Sequence, residues 1–512
     1  MAPADDQSAC LAFLSDPAHL GQPGPVVRID THISAIFLAG DRAFKLKRAV
    51  SLPFLDFSRL EQREKACRAE LAVNRRSAPE LYLGLKAVTR ESNGRLCFDG
   101  KGEVLDWVVE MRRFEQDAQY DRLAASLTRD DANDLADTVA DFHRAAEPRP
   151  AWGGVQGLRH TIATNAACFD LDTPGLFPEG TGVRLTADSS AWLNRLAPLL
   201  EKRRKNGSVR LCHGDLHLAN ICRFQGKPTL FDAIEFNDDF ACIDVLYDLA
   251  FLLMDLQAKG FGQLASWVLN RYVERRDEAE GLAALPLFLS LRAAIRAHVS
   301  AAMARGTGRD ASLRVLALDY MARAAAYLQP LPPRLLAVGG LSGSGKSRLA
   351  RDLAPLLGLP IGAVVLRTDV IRKQLMGVDP ETRLPPAGYS PEMSIRTYQT
   401  LFDKSRALLA AGLTVVADAV FAKEEQRLGI ENAARQAGVP FEGIWLNASA
   451  EAMRRRIAGR TKNASDATVG VLNAQLDMPL GNIVWLRLDS SGTKEETFAN
   501  AKRRIKSLNA AC

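Results

Sequence analysis

A glycine-rich stretch in the second half of the chain constrains its fold more than any other segment. Residues 335–358 read LLAVGGLSGSGKSRLARDLAPLLG, which is an apolar strand, the pattern GxxxxGKS and an amphipathic helix. A phosphate-binding loop requires this strand–loop–helix context. The backbone amides of such a loop and the positive end of the helix dipole favour a phosphate group. The sequence therefore predicts a parallel α/β domain with a nucleotide-phosphate site.

Each polar residue of this loop has an expected role. Lys346 is expected to reach the γ-phosphate of ATP, and Ser347 is expected to bind Mg²⁺. The remaining loop residues surround the phosphates with backbone amides, and those that we assign to nucleotide binding are Gly340, Ser342, Gly343, Ser344 and Gly345.

The length of the chain and a proline-rich segment predict two domains. With 512 residues, the chain is too long for one ordinary hydrophobic core. The stretch LQPLPPRLL at 328–336 contains three prolines, which remove backbone donors and favour an extended connector. We therefore predict a first domain at 1–330 and a second at 331–512.

A second phosphate-handling pattern lies in the first domain. Residues 211–221 read LCHGDLHLANI, and TLFDAIEF follows at 229–236. The spacing from Asp215 to Asn220 matches the HRDxxxxN pattern of kinase catalytic loops. Phosphoryl transfer to an alcohol needs a carboxylate for the hydroxyl proton and oxygen ligands for magnesium. We therefore assign Asp215 as the base and Asn220 and Asp232 as metal ligands.

A predicted hairpin near the N-terminus places a lysine where it can reach a nucleotide. The stretch VVRIDTHISAIFLAGDRAFKLKRAV alternates apolar and polar residues around a turn at 39–41. Lys45 then shares one strand face with Lys47, and Glu70 on a predicted helix at 60–76 is placed to pair with a strand lysine. The alternative is an exposed basic edge strand without a role in nucleotide binding.

Together, HGDLHLAN, FDAIEF and DVLYDLAFLLMDL at 244–256 resemble the aminoglycoside phosphotransferase family, a branch of the protein-kinase-like fold. The resemblance covers most of residues 25–330 and implies a two-lobed α+β domain. It implies that Lys45 and Glu70 clamp a nucleotide, with Asp215 as the base and Asn220 and Asp232 on magnesium. It also implies that His213 braces the loop and that Asp248 is a structural anchor.

The chain departs from the protein-kinase pattern in two places. No GxGxxG loop precedes Lys45, so THISAIFLAG must cover the nucleotide, as the looser loop of the resembled family does. Residues 233–235 read Ala-Ile-Glu where protein kinases have Phe-Gly, so regulation through that segment is not expected. Glu235 is placed either to contact metal or substrate or to support the residues that do.

The helices after the catalytic loop bear on the acceptor. Residues 256–330 contain ten Lys or Arg against six acidic residues, whereas a site for a polycationic aminoglycoside needs excess acid. We therefore expect a neutral or lightly charged hydroxyl compound.

Two further strands of the second domain carry candidate acceptor-site residues. The stretch AVVLRTDVIRKQL at 363–375 places Asp369 at a strand end and Arg372 one helical turn later. Asp369 can orient an acceptor hydroxyl or cap the helix, and Arg372 can hold an anionic group. The strand GLTVVADAVF ends near Asp418, which is a candidate for a magnesium-bound water or for the acceptor.

The segment MRRRIAGRTKNASDAT at 453–468 places Arg456 and Arg460 on one helix face. This arrangement suits a lid that closes over ATP phosphates, although an exposed basic helix has the same pattern. With GLSGSGKS, RTDVIR and VVADAVF, it resembles the small-substrate P-loop kinases related to gluconate, polynucleotide 5′-hydroxyl and zeta-toxin kinases. The order of the two domains is similar to that of the bacterial proteins described as bifunctional aminoglycoside phosphotransferase and ATP-binding proteins.

These patterns predict an ATP- and Mg²⁺-dependent phosphotransferase that acts on hydroxyl groups of small molecules. Alternatively, one domain is a nucleotide-gated regulatory or ATPase module that controls the other, or the second domain is a polynucleotide 5′-hydroxyl or zeta-toxin-like kinase. The eight cysteines form no CxxC pair, the N-terminus is acidic rather than basic, and no long uninterrupted apolar run occurs. We therefore expect a cytoplasmic protein without a membrane span, for which nucleic acid is a partner only as a substrate of the second domain.

Overall fold

The computed structural model describes residues 5–21, 24–52, 55–172, 175–306, 311–329, 331–459 and 464–509. The chain divides into two compact units. The first comprises residues 1–127, 141–160 and 200–252, and the second comprises residues 128–140, 161–199 and 253–512. The second unit therefore contains the helical residues 253–329 together with the glycine-rich loop. The predicted boundary at 330/331 stays a prediction, because a compact unit is not a test of independent folding.

A six-stranded antiparallel sheet forms the N-terminal part of the first unit, in the order β1-β2-β3-β8-β6-β7. Its strands are β1 (Val27–Asp30), β2 (Ser34–Ala39), β3 (Arg42–Lys47), β6 (Tyr82–Arg90), β7 (Leu96–Phe98) and β8 (Glu103–Arg112). Four short strands form two separate two-stranded sheets. They are β4 (Ser51–Leu52) with β5 (Leu55–Asp56) and β10 (Ile221–Phe224) with β11 (Lys227–Leu230). A further ribbon joins β9 (Val209–Leu211) to β12 (Cys242–Asp244).

The predicted hairpin is present, and its turn explains the register. Gly40 lies between β2 and β3 with φ +53°, a left-handed conformation that glycine adopts at little cost. Strand β3 lies between β2 and β8, so it is an interior strand and the edge-strand alternative is wrong. Phe44 and Leu46 pack in the core beside helix α1, and the intervening Lys45 therefore points to the opposite face.

Twelve α-helices lie in the N-terminal two thirds of the chain that the structure describes, and one of them corresponds to the helix predicted at 60–76. They are α1 (Ser8–Ser15), α2 (Pro17–Leu20), α3 (Leu60–Asn74), α4 (Tyr120–Leu123), α5 (Arg129–Ala145), α6 (Gly154–Asp172), α7 (Thr181–Lys205), α8 (Asp238–Ala241), α9 (Val245–Ala258), α10 (Gly262–Arg275), α11 (Leu285–Gly306) and α12 (Ala311–Tyr327). Short 3-10 helices occur at Gln116–Ala118, Ala124–Ser126, Leu218–Asn220 and Ala279–Ala284.

The second unit contains a five-stranded parallel sheet in the order β14-β15-β13-β16-β17. Its strands are β13 (Leu335–Gly340), β14 (Val364–Arg367), β15 (Val415–Asp418), β16 (Phe441–Asn447) and β17 (Leu486–Asp489). The associated helices are α13 (Lys346–Leu353), α14 (Thr368–Leu375), α15 (Pro391–Ala410), α16 (Glu424–Gln436), α17 (Ala450–Ala458), α18 (Val469–Leu476) and α19 (Lys494–Asn509), with 3-10 helices at Ala354–Leu356 and Pro386–Tyr389. Because all strands are parallel, their carboxyl ends meet at one edge, where ligands bind in open α/β sheets.

Helix α10 covers the edge of this sheet at β14. The Asn270 side chain accepts a hydrogen bond from the Val365 amide (2.7 Å) and donates one to the Ala363 carbonyl (3.1 Å). One side-chain amide thus satisfies both a donor and an acceptor of the edge strand, as a neighbouring strand would.

One helical stretch of the described residues, Ala279–Arg305, is long and apolar enough to cross a membrane by length and composition. Of its most apolar 18-residue window, 72% is buried inside the protein. The core helix of a folded domain passes the same test, so this stretch is weak evidence for a span. The predicted cytoplasmic location stays a prediction.

Candidate functional sites

The two lysines of β3 lie on the face of the sheet that helix α3 covers, and both bind Glu70. Lys45 donates to Glu70 Oε1 at 2.8 Å, and Lys47 donates to Glu70 Oε2 at 2.7 Å. The Glu70 side chain is fully buried. The lysine–glutamate pairing expected from the sequence is therefore present, and it is shared by two lysines rather than one.

Each lysine also reaches an acid from the segment after β11. Lys45 binds Asp232 at 2.5 Å, and Lys47 binds Glu235 at 2.5 Å. The sequence placed Lys47 on the same face as Lys45 but gave it no partner. Only the fold brings residues 232–235 to this face, so the second pair had no local signal.

The charges in this cluster stabilise one another. Burial alone would raise the pKa of Glu70, but Lys45 and Lys47 outweigh it and hold that pKa at about 2. Burial would lower the pKa of Lys45, but Asp232 and Glu70 raise it well above its ordinary value. Burial raises the pKa of Glu235, which Lys47 opposes. Lys45 and Glu70 are thus charged at neutral pH. The contact with Asp232 places Lys45 beside a predicted metal ligand.

The catalytic-loop residues lie together in the same unit. Asn220 donates to the backbone carbonyl of Asp215 and to its carboxylate Oδ2, both at 3.0 Å. His217 Nε2 lies 3.3 Å from the same carboxylate oxygen. Asn220 is buried, whereas 37% of the Asp215 side chain is exposed. The predicted base is therefore held by neighbours and still open to a substrate.

A buried acid holds the backbone of this loop. Asp248 on α9 accepts the His213 amide at 3.0 Å and the Gly214 amide at 2.9 Å. His143 on α5 approaches Asp248 Oδ2 at 3.0 Å. Asp248 therefore anchors the loop, as the sequence resemblance implies. His143, Cys212 and Asp248 also bring possible ligand atoms within 4.8 Å of one another, but the Asp248 oxygens are engaged by the loop.

Hydrogen bonds that involve backbone groups hold both His213 and Asp232 in place. His213 Nε2 lies 2.9 Å from the Phe231 carbonyl, and its Nδ1 can accept the Asp215 amide at 3.3 Å. The sequence suggested that Asp232 lies within a strand, but β11 ends at Leu230, so Asp232 follows the strand. It has φ +62°, a strained conformation for a residue other than glycine. The Asp232 amide donates to the Tyr82 hydroxyl at 3.1 Å, which helps to hold this conformation.

In the second unit, the glycine-rich loop follows β13 and leads into α13, as predicted. Gly340, Gly343 and Gly345 have φ of +143°, +85° and +95°. A Cβ atom on Gly343 would lie 2.7 Å from the Met453 carbonyl oxygen, so a side chain there would displace helix α17. Lys346 is buried at the start of α13, and Ser347 follows it.

Two buried oxygen atoms in this region fit a nucleotide and a divalent cation. Among the described residues, Ser344 Oγ and Asp418 Oδ1 are buried without a hydrogen-bond partner. Asp418 ends β15, opposite Val338 of β13, which lies two residues before Gly340. A carboxylate oxygen and a hydroxyl group near a phosphate-binding loop are the ligands that magnesium prefers. Asp418 Oδ1 therefore fits a cation, and Ser344 lies in the loop that would surround the phosphates together with Lys346. The role of Ser347 as a magnesium ligand stays a prediction.

Asp369 and Arg372 both lie on α14. Asp369 is in the first turn of this helix, but the N-cap residue is Arg367, so the capping alternative is wrong. Arg372 donates to the Gly388 carbonyl at 2.9 Å and lies over the Tyr389 ring at 5.1 Å. The roles of Asp369 and Arg372 toward an acceptor stay predictions.

The predicted lid has one described arginine. Arg456 donates to the carbonyls of Ser490 (2.7 Å) and Gly492 (3.0 Å), and more weakly to those of Gly343 and Ser344. It therefore contacts the loop backbone, and contact with ATP phosphates stays a prediction. Arg460 lies outside the described residues. The sequence gave no role to Gln475, whose Oε1 accepts the Ser342 amide of the loop at 2.9 Å.

Comparison with known proteins supports both halves of this description. Residues 94–285 match the model of the phosphotransferase enzyme family, and residues 335–478 match a model described as an AAA domain. The chain thus combines a kinase-like phosphotransferase fold with a C-terminal P-loop domain whose parallel sheet is flanked by helices, and the predicted fold class is confirmed. A phosphotransferase-family match together with a P-loop domain implies the use of ATP, usually with a divalent metal ion, and the phosphotransferase-family match supports phosphotransferase activity.

One relative aligns with this chain over nearly the full length of both proteins. An uncharacterized protein of Mycobacterium tuberculosis (strain H37Rv) is 29% identical over 485 residues, which cover 92% of this chain and 94% of the relative. Among solved structures, a choline/ethanolamine kinase family protein from Mesorhizobium loti covers 63% of this chain and 94% of its own, with 14% identity and a TM-score of 0.41. A gluconokinase from Sinorhizobium meliloti 1021 covers 36% of this chain and 99% of its own, with 20% identity and a TM-score of 0.25.

Proposed function

We propose that the protein is an ATP- and Mg²⁺-dependent phosphotransferase with two kinase-type sites, which transfers phosphate to hydroxyl groups of small molecules. The observation that carries this proposal is the pair of contacts made by Lys45. Its ammonium binds Glu70 at 2.8 Å and Asp232 at 2.5 Å. This arrangement fits a phosphate-binding lysine that is held by a helix acid and placed beside a metal ligand.

In the first site, the chemical step that these residues fit is direct transfer. Asp215 orients the acceptor hydroxyl and takes its proton while the hydroxyl oxygen bonds to the γ-phosphorus. The bond from that phosphorus to the bridging oxygen breaks, and ADP leaves. Asn220 and Asp232 would hold magnesium, which neutralises charge on the phosphates. Lys45 orients the phosphates through its own fixed position between Glu70 and Asp232.

In the second site, the glycine-rich loop and Lys346 would bind the phosphates, with Ser347 and Asp418 on magnesium. Asp369 would orient the acceptor hydroxyl, and Arg372 would bind an anionic group on the acceptor. A small molecule is the proposed acceptor of both sites, and a polynucleotide 5′-hydroxyl is the alternative for this one. We place the protein in the cytoplasm.

A second candidate function is regulatory, with one site controlling the other. It is favoured by one observation. Glu274 on α10 and Arg367 of the parallel sheet both belong to the second unit and bind each other at 2.9 Å, and Glu274 lies within residues 94–285, which match the phosphotransferase family. A nucleotide bound at the glycine-rich loop can therefore act on a helix of the stretch that matches the phosphotransferase family.

The experiment measures ATP consumption by the full-length protein with sugars, amino alcohols, nucleosides and aminoglycosides as acceptors. Once an acceptor is found, Asp215→Asn should reduce transfer by about a hundredfold or more if the first site is responsible. Asp188→Asn, at an exposed position on α7, is the matched control. Near-normal turnover in Asp215→Asn would remove Asp215 from the mechanism.

For the second site, Lys346→Ala should abolish binding of a fluorescent ATP analogue, because it removes the cation that contacts the β- and γ-phosphates. Lys494→Ala, on an exposed side chain at the start of α19, is the control. ATP consumption that needs no acceptor and disappears in Lys346→Ala would support the regulatory ATPase instead.

A further inference from the structure

Three charged side chains meet at the carboxyl ends of β14 and β15. Arg367 is the last residue of β14, Asp418 is the last of β15, and Glu274 is in the last turn of α10. Arg367 Nη1 donates to Glu274 Oε1 at 2.9 Å, and its Nε donates to Asp418 Oδ2 at 3.2 Å. One guanidinium therefore joins an acid of the sheet to an acid of the helix.

These side chains are almost completely removed from solvent. Arg367 and Asp418 are each 3% exposed, and Glu274 is 7% exposed. Burial would raise the pKa of Glu274, but Arg367 and Arg351 outweigh it and hold that pKa at about 2. Burial would lower the pKa of Arg367, but Glu274 and Asp418 raise it above its ordinary value. Glu274 and Arg367 are therefore both charged at neutral pH.

The bridge leaves Asp418 with two different oxygen atoms. Oδ2 is held by Arg367, whereas Oδ1 is buried without a hydrogen-bond partner among the described residues. A carboxylate that binds a cation through one oxygen usually has its other oxygen fixed by a neighbour, which sets its orientation. A guanidinium that is itself held by a second acid has little freedom to turn.

We propose that Glu274 is a positioning residue of the P-loop site: through Arg367 it fixes the Asp418 carboxylate so that Oδ1 faces the magnesium–nucleotide complex. This inference rests on the proposed nucleotide-binding function of that site. Glu274 lies outside residues 335–478, which match the AAA domain, and inside the stretch that matches the phosphotransferase family. In this proposal, the P-loop site is completed by a residue of the same compact unit that precedes the stretch matched by the AAA domain.

A second ion pair between the same two stretches provides a matched control. Lys404 on α15 binds Asp277, three residues after Glu274, at 2.5 Å, and 52% of the Asp277 side chain is exposed. Asp277→Asn removes a negative charge from the same region without touching Arg367 or Asp418. A general loss of attachment would affect both variants, whereas loss of Asp418 positioning would affect only Glu274→Gln.

The experiment uses the full-length protein and the fluorescent analogue mant-ATP, titrated at a series of MgCl₂ concentrations and in EDTA. The P-loop signal is the part that Lys346→Ala removes. Glu274→Gln should raise the Mg²⁺ concentration for half-maximal mant-ATP binding by about tenfold, the usual loss when a group that orients a metal ligand is removed. Binding in EDTA should be unchanged. Asp277→Asn should match the wild type.

Two outcomes would overturn the inference. One is a Mg²⁺ dependence of Glu274→Gln equal to that of Asp277→Asn. The other is equal weakening with Mg²⁺ and in EDTA, which a purely structural role would give. If Glu274→Gln does not melt cooperatively, Glu274→Asp, which keeps the charge on a shorter side chain, should shift the Mg²⁺ dependence in the same direction, and an unchanged titration would refute the inference. Failure of the proposed function differs, since Lys346→Ala would then remove no Mg²⁺-dependent signal.

Discussion

Replacement of Glu70 by glutamine tests the charge cluster of the first site most directly. Glu70 is fully buried and binds Lys45 at 2.8 Å and Lys47 at 2.7 Å. Glutamine has nearly the same shape but carries no charge, so the variant leaves two buried ammonium groups with one acid fewer. Asp232 and Glu235 remain as partners, so we expect the fold to survive with reduced stability.

The magnitude follows from the pKa of Glu70. It is lowered from 4.5 to about 2, and at 1.36 kcal/mol per pKa unit this corresponds to about 3 kcal/mol. Removal of one partner from a buried ion pair typically costs about 3–5 kcal/mol, which agrees. Because the folded-state pKa is lowered, this stabilisation is present at pH values above about 4.5 and is lost as the pH falls toward 2.

The assay is amide hydrogen exchange at neutral pH, read by mass spectrometry on peptides from α3 and β3. Local opening of these elements should become easier by about 3 kcal/mol, which lowers protection of their slowest amides by about a hundredfold. The control is Glu64→Gln on the same helix, where Glu64 and Arg68 form an exposed pair at 2.8 Å. Removal of an exposed pair should cost less than about 1 kcal/mol. Equal protection in the two variants would refute the reasoning.

Three further predictions concern other parts of the chain. Burial lowers the pKa of His298 from 6.5 to about 4, so as the pH falls through this range the free energy of unfolding of the second unit should decrease by at most about 3 kcal/mol. His298→Gln, which can still bind Asn165, should not show this decrease, and hydrogen exchange of α11 measures the difference. Gln475→Ala frees the Ser342 amide for phosphate, so mant-ATP affinity at the P-loop site should rise about two- to tenfold in fluorescence titrations. Kanamycin should be a poor acceptor in the ATP-consumption assay, because residues 256–330 carry an excess of basic residues.

The parts of both sites that follow local periodicity could be predicted from the sequence. The period of two in β3 places Lys45 opposite Phe44 and Leu46, and the helical period of 60–74 places Glu70 toward the sheet. The glycine-rich loop is contiguous, so its position between β13 and α13 needed no tertiary information. These residues lie close in sequence or on one regular element.

The remaining contacts join residues that are distant in the chain, and their sequence neighbourhoods give no sign of the pairing. Glu274 and Arg367 are 93 residues apart, and Lys47 and Glu235 are 188 residues apart. Asp232 was expected in a strand because its neighbours are apolar, but its left-handed backbone and its contact with Tyr82 depend on the folded unit. Such pairings are set by topology rather than by spacing.

The contact between Asn270 and β14 has a consequence for attempts to divide the chain. A sheet edge with unpaired amides and carbonyls is a template for association with other chains. In this protein, the side-chain amide of Asn270 occupies the Val365 amide and the Ala363 carbonyl at that edge. A fragment that begins at residue 331 would uncover these groups together with the buried face of β14. We therefore expect such a fragment to aggregate when it is expressed alone, and a fragment that begins at residue 253 and so retains α10 to be more soluble.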